Sequence, residues 1–264
     1  MDFEENSEEM ENVKKIVPEV YKDVVQPASQ ELGKLIARIP RAINAALAPF
    51  DKWIMHQEYS VAETKKLLEK KLENVNPTDI VPPESFVVVP ALQAISYSMD
   101  SEELRNLYAN LLATSMIKDK KWQVHPSYVE VIKQITPDEA KLLNVLSDDK
   151  ISYPLIDVRI VYPDKSYQVV LRHFTNLAFG VCENPDNIYT YLGNLERLKI
   201  IDISFEVKIN NDEIYKPLEE YQEIKNWTKT ELSEGREWQI ERGKFEVTDY
   251  GEEFIKTCVI GIVA

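Results

Sequence analysis

The spacing of apolar residues changes near residue 200, and this change constrains the fold more than any other feature of the chain. In residues 187–199 apolar side chains recur every three or four positions, which predicts an amphipathic helix. In residues 200–209 they alternate with polar ones, as in a half-buried strand, and residues 238–247 repeat this alternation. Two helices, then a helix that leads into a two-stranded ribbon and a short terminal helix, are the order of elements in a winged-helix domain.

We therefore predict a winged-helix-like domain over residues 136–264, with a two- or three-stranded β wing. One of its helices begins near Thr136, where Pro137 suits the first helical position and Glu139 completes a capping box. Residues 210–235, between the two wing strands, are too many for a plain hairpin loop and carry more acidic than basic side chains. They predict an acidic insertion.

The first 135 residues follow a helical period and predict a helical domain, so the chain is expected to be mainly α, or α+β overall. Its clearest helix covers residues 101–117, with Asp100 or Ser101 as the N-cap. Residues 86–89 are consistent with a strand that leads into a helix from Pro90. Residues 1–12 contain six acidic side chains and no basic one, which predicts disorder.

The charge of the chain argues against a nucleic-acid-binding protein. The 31 Lys and Arg residues face 45 Asp and Glu residues, a net charge of −14. Residues 136–264 hold 15 basic and 24 acidic side chains, which leaves −9. Binding to phosphates depends on Lys and Arg, so nucleic acid is a disfavoured partner. A DNA-binding regulator stays an alternative, in which the helix at 187–199 contacts DNA through Asn194, Arg197 and Lys199.

One basic amphipathic segment stands out in this acidic chain, between residues 26 and 55. Its apolar stripe continues over residues 32–54 and predicts either the core face of a helical domain or a surface that contacts a membrane or a partner. The second interpretation gives a membrane-perturbing effector. No run approaches 18 apolar residues, and we expect a cytoplasmic protein. The residues of this face are Leu32, Leu35, Ile36, Ile39, Ile43, Leu47 and Phe50.

The sequence predicts no catalytic, cofactor-binding or metal-binding residues, and hence no enzyme. The seven glycines form neither of the common phosphate-binding motifs, GxGxxG and GxxxxGK(S/T). Cys182 and Cys258 lack the spacing of a zinc site, and we expect both to be buried and reduced. His125 has acidic residues near it in sequence, so it could pair with a carboxylate in acid–base chemistry. Alternatively its ring caps or packs against the helix that follows, and this is the more common arrangement.

Three stretches resemble the bacterial abortive-infection alpha family: VYKDVVQPASQELGKLI with INAALAPF, ELRNLYANLLATSM, and HPSYVEVIKQITPDEAKLL. The resemblance covers about residues 18–146. It implies a component of bacterial antiphage defence, acting as a non-catalytic module that senses or binds a phage or host protein, or as an effector. It implies no active site, and the roles of its motif positions can be wholly structural. These positions are Asn110, Leu111, His125, Pro126, Asp138 and Glu139.

Overall fold

Six α-helices come first in the part of the chain that the structure describes. The computed structural model describes residues 38–50, 58–95, 98, 100–148 and 152–262. The helices are α1 (Arg38–Leu47), α2 (Glu58–Lys71), α3 (Ser85–Ile95), α4 (Glu102–Ser115), α5 (Ser127–Lys133) and α6 (Pro137–Val145).

Strands and short helices alternate in the second half. They are β1 (Tyr153–Val161), β2 (Tyr167–Phe174), α7 (Ile188–Arg197), β3 (Ile201–Ser204), α8 (Lys216–Glu219), α9 (Gln222–Lys229), β4 (Glu237–Val247) and α10 (Asp249–Phe254). A π-helical segment, Ile255–Ile260, continues from α10. The described part of the chain is therefore an α+β structure.

Helix α4 lies at the centre of the helical layer. The hydroxyl of Ser101 accepts a hydrogen bond from the backbone N–H of Leu104, so the predicted N-cap is confirmed. Tyr108, Leu111 and Leu112 are fully buried. Helices α2, α3, α5 and α6 pack around α4, and so does the π-helical segment. Nearly every side of this helix thus contributes to the main core.

Helix α3 corrects one expectation. Residues 86–89 form no strand, because one helix runs from Ser85 to Ile95 and contains Pro90. Val88, Ala91 and Ile95 are buried, since α3 packs against both α4 and α5. A helix covered on several sides carries apolar residues in consecutive positions, and its sequence cannot be told from that of a buried strand by period alone.

The sheet has four antiparallel strands in the order β2-β1-β4-β3. The predicted ribbon is present, because Ile201 in β3 lies opposite Val247 in β4. The expected two- or three-stranded wing is nevertheless wrong, since the hairpin of β1 and β2 adds strands to it. Strand β1 lacks a simple alternation because Leu155 faces the main core while Ile156 and Val158 face a second one. The winged-helix assignment stays a prediction.

The predicted acidic insertion covers the outer face of the sheet. Its side chains Tyr215, Leu218 and Ile224 are buried against β1 and form the second core with it. The hydroxyl of Tyr215 donates to the carbonyl oxygen of Gly243 at 3.0 Å and accepts the backbone N–H of Ile209 at 2.9 Å. The insertion is therefore a packed layer, and helices lie on both faces of the sheet.

The main core crosses the predicted domain boundary at residues 135 and 136. It contains Ile43 and Leu68 from the first segment together with Leu195, Phe254 and Cys258 from the second. The division into two domains stays a prediction. Within the described residues, no helix combines the length and the apolar character needed to cross a bilayer.

Candidate functional site

The motif position Asn110 anchors the end of the described chain. Its side-chain amide donates to the carbonyl oxygens of Cys258 at 2.9 Å and Val259 at 2.8 Å. The last carbonyls of a helical segment lack partners inside it, so Asn110 satisfies two of them. The neighbouring Leu111 is buried in the main core. Gly261 has a φ of +70° and lies against the Asn110 amide, where a Cβ atom would be 2.5 Å from Oδ1.

The motif position Asp138 is a buried hydrogen-bond acceptor at the start of α6. Its carboxylate accepts the backbone N–H groups of Glu183 at 2.8 Å and Asn184 at 2.9 Å, the hydroxyl of Tyr191 at 2.9 Å and the ammonium of Lys141 at 3.3 Å. Burial alone would raise the pKa of Asp138, but these donors lower it to about 2. The ionised carboxylate thus joins α6 to α7 and to the preceding loop.

The motif position Glu139 is connected to the predicted DNA-contacting residues. Its carboxylate accepts the backbone N–H of Thr136 at 2.6 Å, which confirms the capping box, and the amide of Asn194 at 2.7 Å. Arg197 donates to the side-chain oxygen of Asn194 at 2.7 Å. Asn194 and Arg197, two of the three side chains predicted to contact DNA, are therefore hydrogen-bonded within the chain. Lys199 is exposed at the end of α7, with a φ of +61°.

The motif positions His125 and Pro126 immediately precede α5. The backbone N–H of Ser127 donates to Nδ1 of His125 at 3.2 Å, so this nitrogen is an acceptor. The Ser127 hydroxyl lies 2.6 Å from the same nitrogen and 2.7 Å from the hydroxyl of Tyr250. Among the described residues, no carboxylate is hydrogen-bonded to His125. His125 therefore binds the first residue of α5, and the Ser127 hydroxyl connects α5 to α10.

The predicted membrane or partner face is only partly described. Ile43 and Leu47 are buried in the main core beside α2, and Ile39 is half-buried. These three side chains belong to the core face of α1. Outside the described residues lie Leu32, Leu35, Ile36 and the side chain of Phe50.

Both cysteines are free thiols; Cys258 is buried, as expected, whereas Cys182 is only half-buried. Burial raises the pKa of Cys182 to about 11 and raises that of Cys258 well above its ordinary value. Both groups are therefore protonated at neutral pH and poor nucleophiles. Within the described ranges, no group of three or more His, Cys, Asp or Glu side chains is placed to hold a metal ion.

An exposed aromatic surface lies on the helical layer, and sequence reasoning missed it. Trp122, in a short 3₁₀ turn, is 73% exposed, and Phe86, in the first turn of α3, is 54% exposed. Lys121 forms an ion pair with Glu84 at 2.9 Å, and its ammonium lies 4.3 Å from the centre of the Trp122 ring. We call this the Trp122 surface; it consists of Phe86, Lys118, Lys120, Lys121 and Trp122.

Backbone pairing brings the two parts of the Trp122 surface together. The N–H of Val81 donates to the carbonyl of Met116 at 2.8 Å, and the N–H of Lys118 donates to that of Asp79 at 2.9 Å. These bonds fix the chain before α3 beside the chain after α4. In the sequence, this region is marked by the basic run before Trp122, which follows the helix predicted at 101–117.

The comparisons with known proteins identify the family. The model of the family described as abortive infection alpha matches residues 56–258. The chain belongs to this family. The family match of this abortive infection alpha protein begins at residue 56, later than the resemblance seen in the sequence, which begins near residue 18. It ends at residue 258, so it includes the whole sheet and reaches the π-helical segment.

One solved structure is similar to this abortive infection alpha protein. It is that of the uncharacterized protein from the hydrocarbon-degrading marine bacterium Alcanivorax borkumensis SK2, with 16% sequence identity. The match covers 52% of this chain and 92% of that chain, with a TM-score of 0.31. This likeness is too weak to inform fold or function. No curated protein matches the chain in sequence.

Proposed function

We propose that this abortive infection alpha protein acts in antiphage defence by binding a phage or host protein through the Trp122 surface. The family supports a role related to abortive infection. The observation that carries the proposal is the exposure of Trp122, at 73% of its surface, together with that of Phe86, at 54%. Large aromatic side chains are the most common anchors of protein interfaces, because they bury much apolar area on binding.

The motif positions support a binding role rather than catalysis. Asn110, Asp138 and Glu139 are buried, and each binds backbone or side-chain groups of its own chain. A catalytic group needs access to substrate, and these three side chains have little. Their role is to hold α4, α6 and α7 in place.

The two alternatives have less support. A membrane-perturbing effector would use the stripe in residues 32–54, but Ile43 and Leu47 are buried in the core. A DNA-binding regulator would use Asn194 and Arg197, but both are hydrogen-bonded within the chain. The charge of −9 over residues 136–264 also opposes binding to phosphates. Protein binding is therefore the function that these contacts favour.

The test replaces Trp122 by Ala in the full chain and measures phage plating on cells that express it. We expect protection to fall by about tenfold or more, because removal of an interface anchor costs about 2 kcal/mol of binding free energy. The unfolding midpoint should not change, since Trp122 makes few internal contacts. The matched control is Trp227→Ala on α9, a less exposed tryptophan outside the Trp122 surface.

A photo-crosslinking residue at position 122 identifies the contact directly. In infected cells we expect one crosslinked protein that is missing when the same residue stands at position 227. Full protection by Trp122→Ala at normal protein level would overturn the proposal, and so would equal crosslinking from both positions.

A further inference from the structure

We propose that Lys71, at the C-terminal end of α2, is the central residue of a binding site for a small phosphate-bearing molecule. Its side chain is half-buried and lines two clefts, of about 390 and 440 Å³. Within the described part of the chain it makes neither an ion pair nor a hydrogen bond. Clefts of this size are typical of small-ligand sites.

The first cleft lies between α2, α4 and the π-helical segment. Asn106 lines it beside Lys71, and its side-chain amide, among the described residues, also has no hydrogen-bond partner. Val259 and Ile260 form an apolar wall. Two acidic residues also line this cleft. Glu103 accepts a hydrogen bond from the Ser101 hydroxyl and lies 3.8 Å from the ammonium of Lys141. Glu102 is exposed to solvent. Among the described residues of this lining, Lys71 and Asn106 thus supply an ammonium and an amide that bind no other group.

The second cleft adds two more lysines. Lys70 and Lys120 line it together with Lys71, and Ile262 supplies an apolar side. The acidic residues of its lining are all exposed to solvent. They are Glu73, Asp79 and Asp119.

The chemistry of these groups favours an anion with several oxygens. Burial lowers the pKa of Lys71, and the charge of Lys70 lowers it further. A bound anion would offset both costs, because an opposite charge favours the protonated amine. A phosphate group offers three acceptor oxygens, enough for Lys71, a second lysine and Asn106. The apolar side chains Val259 and Ile260 in the first cleft and Ile262 in the second would contact the remainder of an organic phosphate.

This inference is independent of the proposed function, because it needs no protein partner. Lys120 nevertheless belongs to both the second cleft and the Trp122 surface. A ligand bound beside Lys71 would thus lie next to the surface proposed to bind the partner.

The test uses the full chain, an amine-acylating reagent and mass spectrometry of each lysine. Inorganic phosphate and AMP, each at about 5 mM, should slow acylation of Lys71 by about threefold or more, as for a site with a Kd of about 1 mM. Adenosine, which lacks the phosphate, should not slow it. Acylation of the exposed Lys225 should be the same in all samples.

Binding measured by calorimetry completes the test. Lys71→Met and Asn106→Leu should each weaken AMP binding by about tenfold, with Lys225→Met unchanged. The unfolding midpoint of each variant shows whether it has folded. The proposal fails if neither phosphate nor AMP protects Lys71, if adenosine protects it equally, or if a folded Lys71→Met variant binds AMP as the native chain does.

Discussion

The side-chain amide of Asn110 lies 2.9 Å from the carbonyl oxygen of Cys258, although 148 residues separate the two along the chain. A second hydrogen bond joins the same amide to Val259. One motif position of the family thus holds the end of the described chain against α4. Because the carbonyl of Cys258 lies in the interior, water cannot easily replace the amide.

The first prediction follows for Asn110→Ala. Loss of the amide leaves two carbonyl groups without a donor, and we expect the free energy of unfolding to fall by about 2–3 kcal/mol in urea titrations. The matched control is Asn144→Ala, because Asn144 is an exposed residue whose side-chain amide donates to the carbonyl of Ala140 in its own helix rather than to a distant segment. That change should cost less than about 0.5 kcal/mol. Equal costs would contradict the anchoring role.

The second prediction concerns Gly261 and its coupling to Asn110. Gly261→Ala adds a Cβ atom 2.5 Å from Oδ1 of Asn110 at a φ of +70°, a conformation that L residues rarely adopt. We expect a loss of about 1–2 kcal/mol. In the Asn110→Ala background the loss should be smaller, because part of the clash is gone. A double-mutant cycle of unfolding free energies measures this coupling, and strict additivity would contradict it.

Local sequence patterns predicted the elements whose signals lie within a few residues. The N-cap at Ser101, the capping box of Thr136 and Glu139, and the helix at 187–199 follow from hydrogen bonds three residues apart or from a helical period. Strand β3 is shorter than the alternating run at 200–209, since pairing with β4 ends at Ser204. The hairpin of β1 and β2 gave no such signal, because cores cover both faces of β1.

The candidate sites depend on long-range contacts, and the sequence could not predict them. Ile43 and Leu47 lie on a stripe whose period is the same for a membrane face and a core face, and only the packing of α2 decides between them. Trp122 is exposed because the described segments far from it in sequence do not pack over it, and the residues around it do not show this. The clefts beside the half-buried Lys71 are lined by residues of α4 and by residues 259–262, which lie far from it in sequence.

The third prediction is a pH dependence centred on Asp138. Its folded pKa of about 2 lies below the ordinary value of 3.8, so its contribution is complete above the ordinary pKa and disappears as the pH falls through about 2. A shift of this size corresponds to about 2 kcal/mol at neutral pH. We expect the native chain to lose this amount between about pH 5 and pH 2, in addition to the loss from other groups.

The measurement for Asp138 compares unfolding free energies of the native chain and Asp138→Asn across that range. The variant cannot titrate at this position, so the difference between the two proteins should shrink by about 2 kcal/mol as the pH falls. Glu213→Gln is the control, because Glu213 pairs with Lys216 in an exposed ion pair. Parallel pH curves for the native chain and Asp138→Asn would show that the folded chain does not depend on an ionised Asp138.

The fourth prediction contrasts two helical glycines. Gly193 in α7 has no atom within 4 Å of an added Cβ, whereas at Gly251 in α10 the added atom would overlap the carbonyl oxygen of Ile200. Gly193→Ala should therefore raise the free energy of unfolding by about 0.5–1 kcal/mol, since Ala loses less backbone entropy in a helix. Gly251→Ala should lower it by about 1–3 kcal/mol, because α10 must move away from β3.

Thermal unfolding of both glycine variants checks this contrast. The two substitutions are chemically identical, so opposite shifts of the midpoint can come only from the surroundings of each glycine. A rise for both would mean that α10 is not held against Ile200, and the hydrogen bond from Thr248 N–H to the Ile200 carbonyl would then be absent too. Because α10 leads into the segment that Asn110 anchors, Gly251→Ala should also weaken the coupling between Asn110 and Gly261.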